Sequence, residues 1–136
     1  MNEFVWPVRV YYEDTDAGGV VYYANYLKFM ERARTEWLRS LGYEQDEMRQ
    51  RYGTIFAVRQ VEVGYHRPAR FNEALEVSAG IARKGKASLT FYQEVRRGDD
   101  QTLLCSGHIK IASLTAETLR PTPIPKKLLE EIAVVE

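Results

Sequence analysis

One amphipathic helix set among strands constrains this chain more than any other feature. From Asn25 to about Leu41 the apolar residues Leu27, Met30, Ala33, Trp37, Leu38 and Leu41 recur every three or four positions, which gathers them on one stripe of an α-helix. Gly42 supplies the stop. The opposite face carries Glu31, Arg32, Arg34, Glu36 and Arg39, read as a solvated face whose ion pairs are each worth about 0.3 kcal/mol. The other long segments alternate with a period of two. Val8, Val10 and Tyr12 alternate with Arg9, Tyr11 and Glu13 up to the stop at Gly18 and Gly19, and residues 55–65, 74–83, 87–96 and 102–114 follow the same rule. Turns fall at Lys84-Gly85 and Gly98-Asp99-Asp100. A short polar helix is expected near residues 44–51, and a small one at 126–132 after the stiff run of Pro121, Pro123 and Pro125.

These elements have one economical packing solution: an α+β fold in which a five-stranded antiparallel sheet wraps around the long helix and buries its stripe. Such a layer leaves an open sheet edge and a partly exposed face, so association with a second copy is expected. With 136 residues, the chain reads as one domain that can bury roughly two thirds of its unfolded surface. There is no internal repeat and no low-complexity segment. Nineteen basic and nineteen acidic residues cancel, so no global field favours nucleic acid or an anionic membrane. The one cysteine, Cys105, lies in an alternating apolar pattern and reads as a buried structural thiol. The start MNEFVWPV lacks a basic end followed by an apolar run, and no later segment reaches membrane-spanning length. A cytoplasmic protein with no integral membrane segment is expected.

The stretch YYEDTDAGGVVYYANY, residues 11–26, contains more chemistry than a connection needs. Asp14 and Asp16 alternate as in a calcium loop, but the third acid and the distant glutamate are missing, which argues against a metal. Asp16 could serve simply as a turn or capping residue. Its neighbours Ala17, Gly18, Gly19, Val20 and Val21 offer little charge compensation, and a partly desolvated carboxylate is a stronger base than one in water. Gly18 and Gly19 permit close backbone approach of a ligand. The first turn of the following helix leaves amides near Tyr23 and Ala24 free to donate to an oxyanion. A carboxylate beside an amide pocket suits attack on a carbonyl.

Other polar residues carry weaker signals. His66 and His108 have no GxSxG elbow or suitably placed serine in the sequence and read as structural. Arg83, Lys84 and Lys86 bracket a hairpin turn and could hold phosphates as point charges. Gly64, inside a strand pattern, marks a possible close approach to a ligand.

The run VRVYYEDTDAGGVVY followed by ANYLKFMERARTEWL closely resembles the Tol-Pal-associated acyl-CoA thioesterases, a branch of the hotdog-fold superfamily related to 4-hydroxybenzoyl-CoA thioesterase. The match is specific from Val8 to Leu38, and RPARFNEALEV, Arg67 to Val77, extends it. The resemblance implies the hotdog arrangement and hydrolysis of an acyl-CoA without metal or cofactor. It also implies a homodimer or dimer-based homotetramer with sites between subunits, and an acyl carrier protein as a candidate partner. Asp16 matches the family's catalytic aspartate, and Tyr12 a tyrosine near the site. Where many members of the branch have histidine, this chain has Tyr23; a tyrosine there resembles the 4-hydroxybenzoyl-CoA branch, in which that residue lends its backbone amide to the thioester oxygen. A phenol with an ordinary pKa of about 10 is a poor base at neutral pH, which leaves the chemistry to Asp16. Two other readings stay open: a dehydratase or lyase on the same fold, and a non-catalytic acyl-carrier or envelope-complex scaffold.

Overall fold

The structure, a computed structural model, describes residues 3–134. Along the chain come β1 (Phe4–Arg9), α1 (Asn25–Ser40), α2 (Gln45–Tyr52), β2 (Thr54–Tyr65), β3 (Ala74–Lys84), β4 (Ser88–Arg97), β5 (Leu103–Thr115) and α3 (Lys126–Glu131). The five strands form one sheet in the order β1-β3-β4-β5-β2, every neighbouring pair antiparallel. This is the α+β architecture that the alternation and the single stripe predict. Gly42 and Gly53 stop α1 and α2 with φ of 93° and 65°, a conformation that costs a glycine little.

The core lies between α1 and one face of the sheet. Tyr26, Phe29, Met30, Ala33 and Leu38 of α1 are buried, facing Leu75, Val77, Ala79 and Ile81 of β3 and Leu89, Phe91 and Val95 of β4. Fully burying a side chain of this kind stabilises by about 1.5–3 kcal/mol each, before conformational entropy is counted. The stripe is rotated from the expected one: Leu27, Trp37 and Leu41 sit at its margin, half-buried. Arg34, expected in solvent, instead turns under the helix. Burial lowers its pKa, and its Nη1 donates to Gln93 Oε1 at 3.1 Å.

Gln93 is wholly buried on β4. Its Nε2 donates to the Met30 carbonyl of α1 and to the Ser78 carbonyl of β3, 3.0 Å each. The β3–β4 ladder skips here, from the pair Val77 with Val95 to the pair Gly80 with Tyr92, and Ser78 Oγ accepts the Glu94 amide at 2.9 Å. Side chains thus supply hydrogen bonds that the ladder omits, as buried polar groups require.

Two departures concern the chain's start and end. β1 stops at Arg9, and Tyr12, expected to continue its buried alternation, lies in a 3-10 turn (Tyr12–Asp14) and is 77% exposed. The reason is tertiary: the Val10 amide donates to Glu73 O and Val10 O accepts the Asn72 amide, so the chain leaves the sheet by turning onto the connection into β3. At the other end, Lys84 Nζ donates to Leu129 O and Ile132 O, at 3.0 and 2.9 Å, tying α3 to the end of β3. Pro7 sits in β1, an edge strand, where a missing donor is tolerated.

Cys105 is fully buried on β5, and burial pushes its thiol up to about 12. The folded protein is therefore expected to leave a thiol-titrating reagent unreacted at pH 8 and to react fully once denatured; rapid labelling of the folded chain would contradict this burial. Because the folded thiol titrates above the unfolded value of 9.0, its stabilising contribution is intact below about pH 9 and is lost as pH rises toward 12. Gly107 offers a second check. A Cβ there would lie 2.3 Å from Val63 Cγ1 and 2.4 Å from Glu62 O across the β5–β2 pair. Gly107→Ala is expected to destabilise by at least about 2 kcal/mol in denaturant melts, the cost of overpacking against backbone.

Candidate active site

The loop between β1 and α1 is built on two carboxylates with opposite orientations. Asp14 points inward and is 4% exposed. Its Oδ2 accepts the Tyr11 amide at 2.8 Å, its Oδ1 accepts Asn25 Nδ2 at 3.0 Å, and its carbonyl accepts the Tyr22 amide at 2.8 Å. Asp16 points outward and is exposed in the single chain rather than partly desolvated, as its apolar neighbours suggested. Its amide donates to Val20 O at 2.9 Å, its carbonyl accepts the Gly19 amide at 3.0 Å, and its Oδ1 accepts the Gly18 amide at 2.8 Å. Thr15 pairs with Val21 to close this small turn. Gly19 has φ of 80°, and a Cβ on Gly18 would crowd Asp16 Oδ1 at 3.2 Å. Both glycines therefore shape the carboxylate's setting.

The turn is docked by its far limb: the Val21 amide donates to Ala69 O at 2.9 Å, and Val20 pairs with Arg70. The Tyr22 amide is taken by Asp14 and the Asn25 amide by Tyr22 O. Between them, the Tyr23 and Ala24 amides meet no acceptor among the described residues. They stand at the entry to α1, whose cap is Ala24, where donors are free and the helix dipole favours negative charge.

An aromatic cluster flanks these amides. The Tyr23 ring lies 4.9 Å from that of Tyr22 and 6.1 Å, edge-on, from that of Tyr65. Tyr65 in turn meets Tyr26 at 5.6 Å, and Tyr26 Oη accepts the Ala69 amide at 2.9 Å. Gly64 precedes Tyr65 at the end of β2 and pairs with Ser106 of β5, and the nearest side chain to a Cβ built on it is that of His66. Tyr12 stacks on Phe71 at 4.1 Å, exposed. Tyr22 is held above the usual phenol range by the adjacent Tyr23 phenol, and Tyr26 and Tyr65 by burial. None of these three phenols is a base at neutral pH.

The basic hairpin is elsewhere. β3 runs 11 residues from the end beside Asn72 and Glu73 to Lys84, a strand length of roughly 30 Å, so within one chain Arg83, Lys84 and Lys86 lie at the opposite end of the sheet from Asp16. Lys84 is also occupied with the carbonyls of Leu129 and Ile132. Arg83 lines a pocket of about 440 Å3 together with Glu62, Thr90, His108 and Lys110. Sequence reasoning missed several groups. His66 has a serine partner after all: His66 Nε2 and Ser106 Oγ are 2.9 Å apart, where Gly64 pairs with Ser106 across β2 and β5. Forty residues separate them in sequence, so no local motif could show it. Tyr65 and Asn25 were missed for the same reason, because their partners come from other elements. Among the described residues no group of three or more His, Cys, Asp or Glu side chains could hold a metal ion, and no helix is long and apolar enough to cross a membrane.

Comparison with known proteins completes the picture. The profile of the Thioesterase-like superfamily matches residues 10–132. The chain is 42% identical over 128 residues to the acyl-CoA thioester hydrolase YbgC of Escherichia coli, covering 94% of each chain. It is 38% identical over 127 residues to the acyl-CoA thioesterase YbgC of Haemophilus influenzae, covering 93% of this chain and 92% of that one. Among solved structures, a probable thioesterase from Bartonella henselae superposes with a TM-score of 0.85 at 32% identity, covering 91% of this chain and all of the other. The matched span runs from the last residues before the Asp16 turn to the end of α3, and on that evidence the chain belongs to the Thioesterase-like, hotdog-fold superfamily of hydrolases.

Proposed function

We propose that this protein hydrolyses an acyl-CoA thioester to the free acid and CoA, with Asp16 as nucleophile or general base and the Tyr23 amide polarising the thioester carbonyl. The observation that carries this reading is an outward carboxylate on the turn closed by Thr15 and Val21, followed two residues beyond that turn by a helix-entry amide that meets no acceptor among the described residues. In the first route an Asp16 oxygen adds to the carbonyl carbon, the CoA thiolate leaves, and water opens the resulting anhydride. In the second, Asp16 takes a proton from water as that water adds, and the proton passes to the leaving sulfur. Either way the carbonyl oxygen gains charge, and donors placed for that charge accelerate the step.

The likeness of the segment 8–38 to Tol-Pal-associated thioesterases, and of Tyr23 to the 4-hydroxybenzoyl-CoA branch, supports a cytoplasmic enzyme of that group, one domain over residues 1–136. An acyl carrier protein is a second candidate donor of the acyl group. Tyr12 and Tyr65 wall the entrance, and Gly18, Gly19 and Gly64 keep backbone close to the acyl carbon. Arg83 and Lys86 are assigned to the CoA phosphates. Their distance from Asp16 within one chain supports a site completed by a second copy, in a homodimer or homotetramer. Lys84, engaged with α3, has the weakest case of the three.

Asp16→Asn keeps the turn's shape and removes the base or nucleophile, so turnover of acyl-CoA, followed with a thiol-detecting reagent, is expected to fall at least about a hundredfold. A variant retaining more than a tenth of the turnover would refute the assignment. If Tyr23 acts through its amide, Tyr23→Phe should change kcat by less than about tenfold, under 1.4 kcal/mol of barrier. Sedimentation should show a dimer or tetramer at micromolar concentration; a 15.7 kDa species alone would rule out the shared site.

A further inference from the structure

Asp14 is buried and the proposed chemistry does not use it. Two donors reach its carboxylate, the Tyr11 amide before the 3-10 turn and Asn25 Nδ2 on the first residue of α1, and the Tyr22 amide beyond the glycines donates to its backbone carbonyl. Asp16 lies two residues after this anchor and Tyr23 one residue after its Tyr22 contact. The Asp14–Asn25 contact is therefore a side-chain tie between the carboxylate's turn and the helix entry, beside the backbone bonds of Tyr22 to Asp14 O and of Val21 to Ala69 O. Asn25 is itself 8% exposed, and its bond to Asp14 couples the loop to the start of the helix. Resting on the assignment of Asp16 and the Tyr23 amide, we infer that the Asp14–Asn25 pair is a positioning device for hydrolysis, setting the geometry in which the carboxylate and the amide meet one carbonyl.

The pair's surroundings support this. Asp14 opens on one side to a pocket of about 340 Å3 shared with Trp6, Arg9, Tyr11, Glu13 and Arg32. The cations there are turned to other partners: Arg9 Nη1 donates to Asn72 O at 2.7 Å, and Arg32 lies 5.9 Å over the Phe29 ring. Among the described residues no Lys or Arg forms a salt bridge with Asp14. Neutral donors with directional geometry hold it instead. Such bonds fix orientation, and a small misplacement at a reacting centre can cost about a hundredfold in rate.

The test exchanges donor and acceptor. Asn25→Asp sets two carboxyl groups where an amide now meets an oxygen at 3.0 Å. Like charges that close raise the pKa of the pair. At low pH the two share a proton and the turn holds; as pH rises through that raised value both ionise and repel. Relative to the unaltered chain, kcat of Asn25→Asp should fall at least about tenfold at pH 8 and recover at least about threefold near pH 5.5, with KM moving less than threefold. The double variant Asp14→Asn with Asn25→Asp restores one donor facing one acceptor, and should return kcat to within about threefold at both pH values. All assays are run below the melting temperature measured for each variant, so loss of folded protein is separated from loss of rate. A wild-type kcat in Asn25→Asp at both pH values, or a double variant no faster than the single one although equally folded, overturns the inference. Asp16→Asn is assayed alongside: an inactive Asp16→Asn with an unaffected Asn25→Asp sinks the positioning role alone, whereas an active Asp16→Asn removes both.

Discussion

Everything in this molecule depends on one burial: the stripe of α1 against one face of the sheet. Phe29, Met30 and Ala33 are wholly inaccessible, and the helix they belong to lies over β3 and β1. That contact fixes where α1 begins, and the entry to α1 holds the Tyr23 and Ala24 amides, which meet no acceptor among the described residues. It also explains Gln93. A buried amide bonded at once to helix and strand permits one register of α1 over the sheet, where apolar contacts alone would tolerate sliding.

The loop before the helix uses the same logic on a smaller scale. Two aspartates two residues apart receive opposite assignments from tertiary structure. Asp14 meets Asn25 and two backbone amides and is consumed as a clamp; Asp16 keeps one oxygen on the Gly18 amide and presents itself to solvent. Both Asp14 carboxylate oxygens are engaged, by the Tyr11 amide and Asn25 Nδ2, whereas the exposed Asp16 carboxylate holds only the Gly18 amide. The difference in their placement follows from geometry, not from residue type.

Much of the fold was legible because the periods are clean. Alternation located all four later strands to within one residue or so of their ends, and the three- and four-residue spacing with Gly42 located α1. The site was legible only in part. Asp16, the glycines and Tyr23 lie in one contiguous run, so local chemistry could propose them as candidates. Asn25 as a partner of Asp14, Tyr65 beside Tyr23, and Ser106 beside His66 are contacts across 11, 42 and 40 residues, and no period encodes such pairs. Arg34 was misjudged for a related reason: its place on the polar side of the helical wheel is real, but Gln93 on a neighbouring strand draws it inward. Tyr12 failed because alternation says where a strand can run, not where tertiary bonds make the chain leave it.

The proline in β1 has a consequence for how copies of this chain can add to one another. β1 and β2 are the two borders of the sheet. One is short, 6 residues, and contains Pro7, which has no amide hydrogen; the other is 12 residues long and carries no proline. A border lacking a donor is a poor template for an incoming strand, and a long donor-bearing one is a good template. Growth by strand addition is therefore polar. Were two chains to join along their long borders, the outer rims of the doubled sheet would both be the proline-bearing kind, and elongation would terminate after a single step, giving a finite particle rather than a fibre.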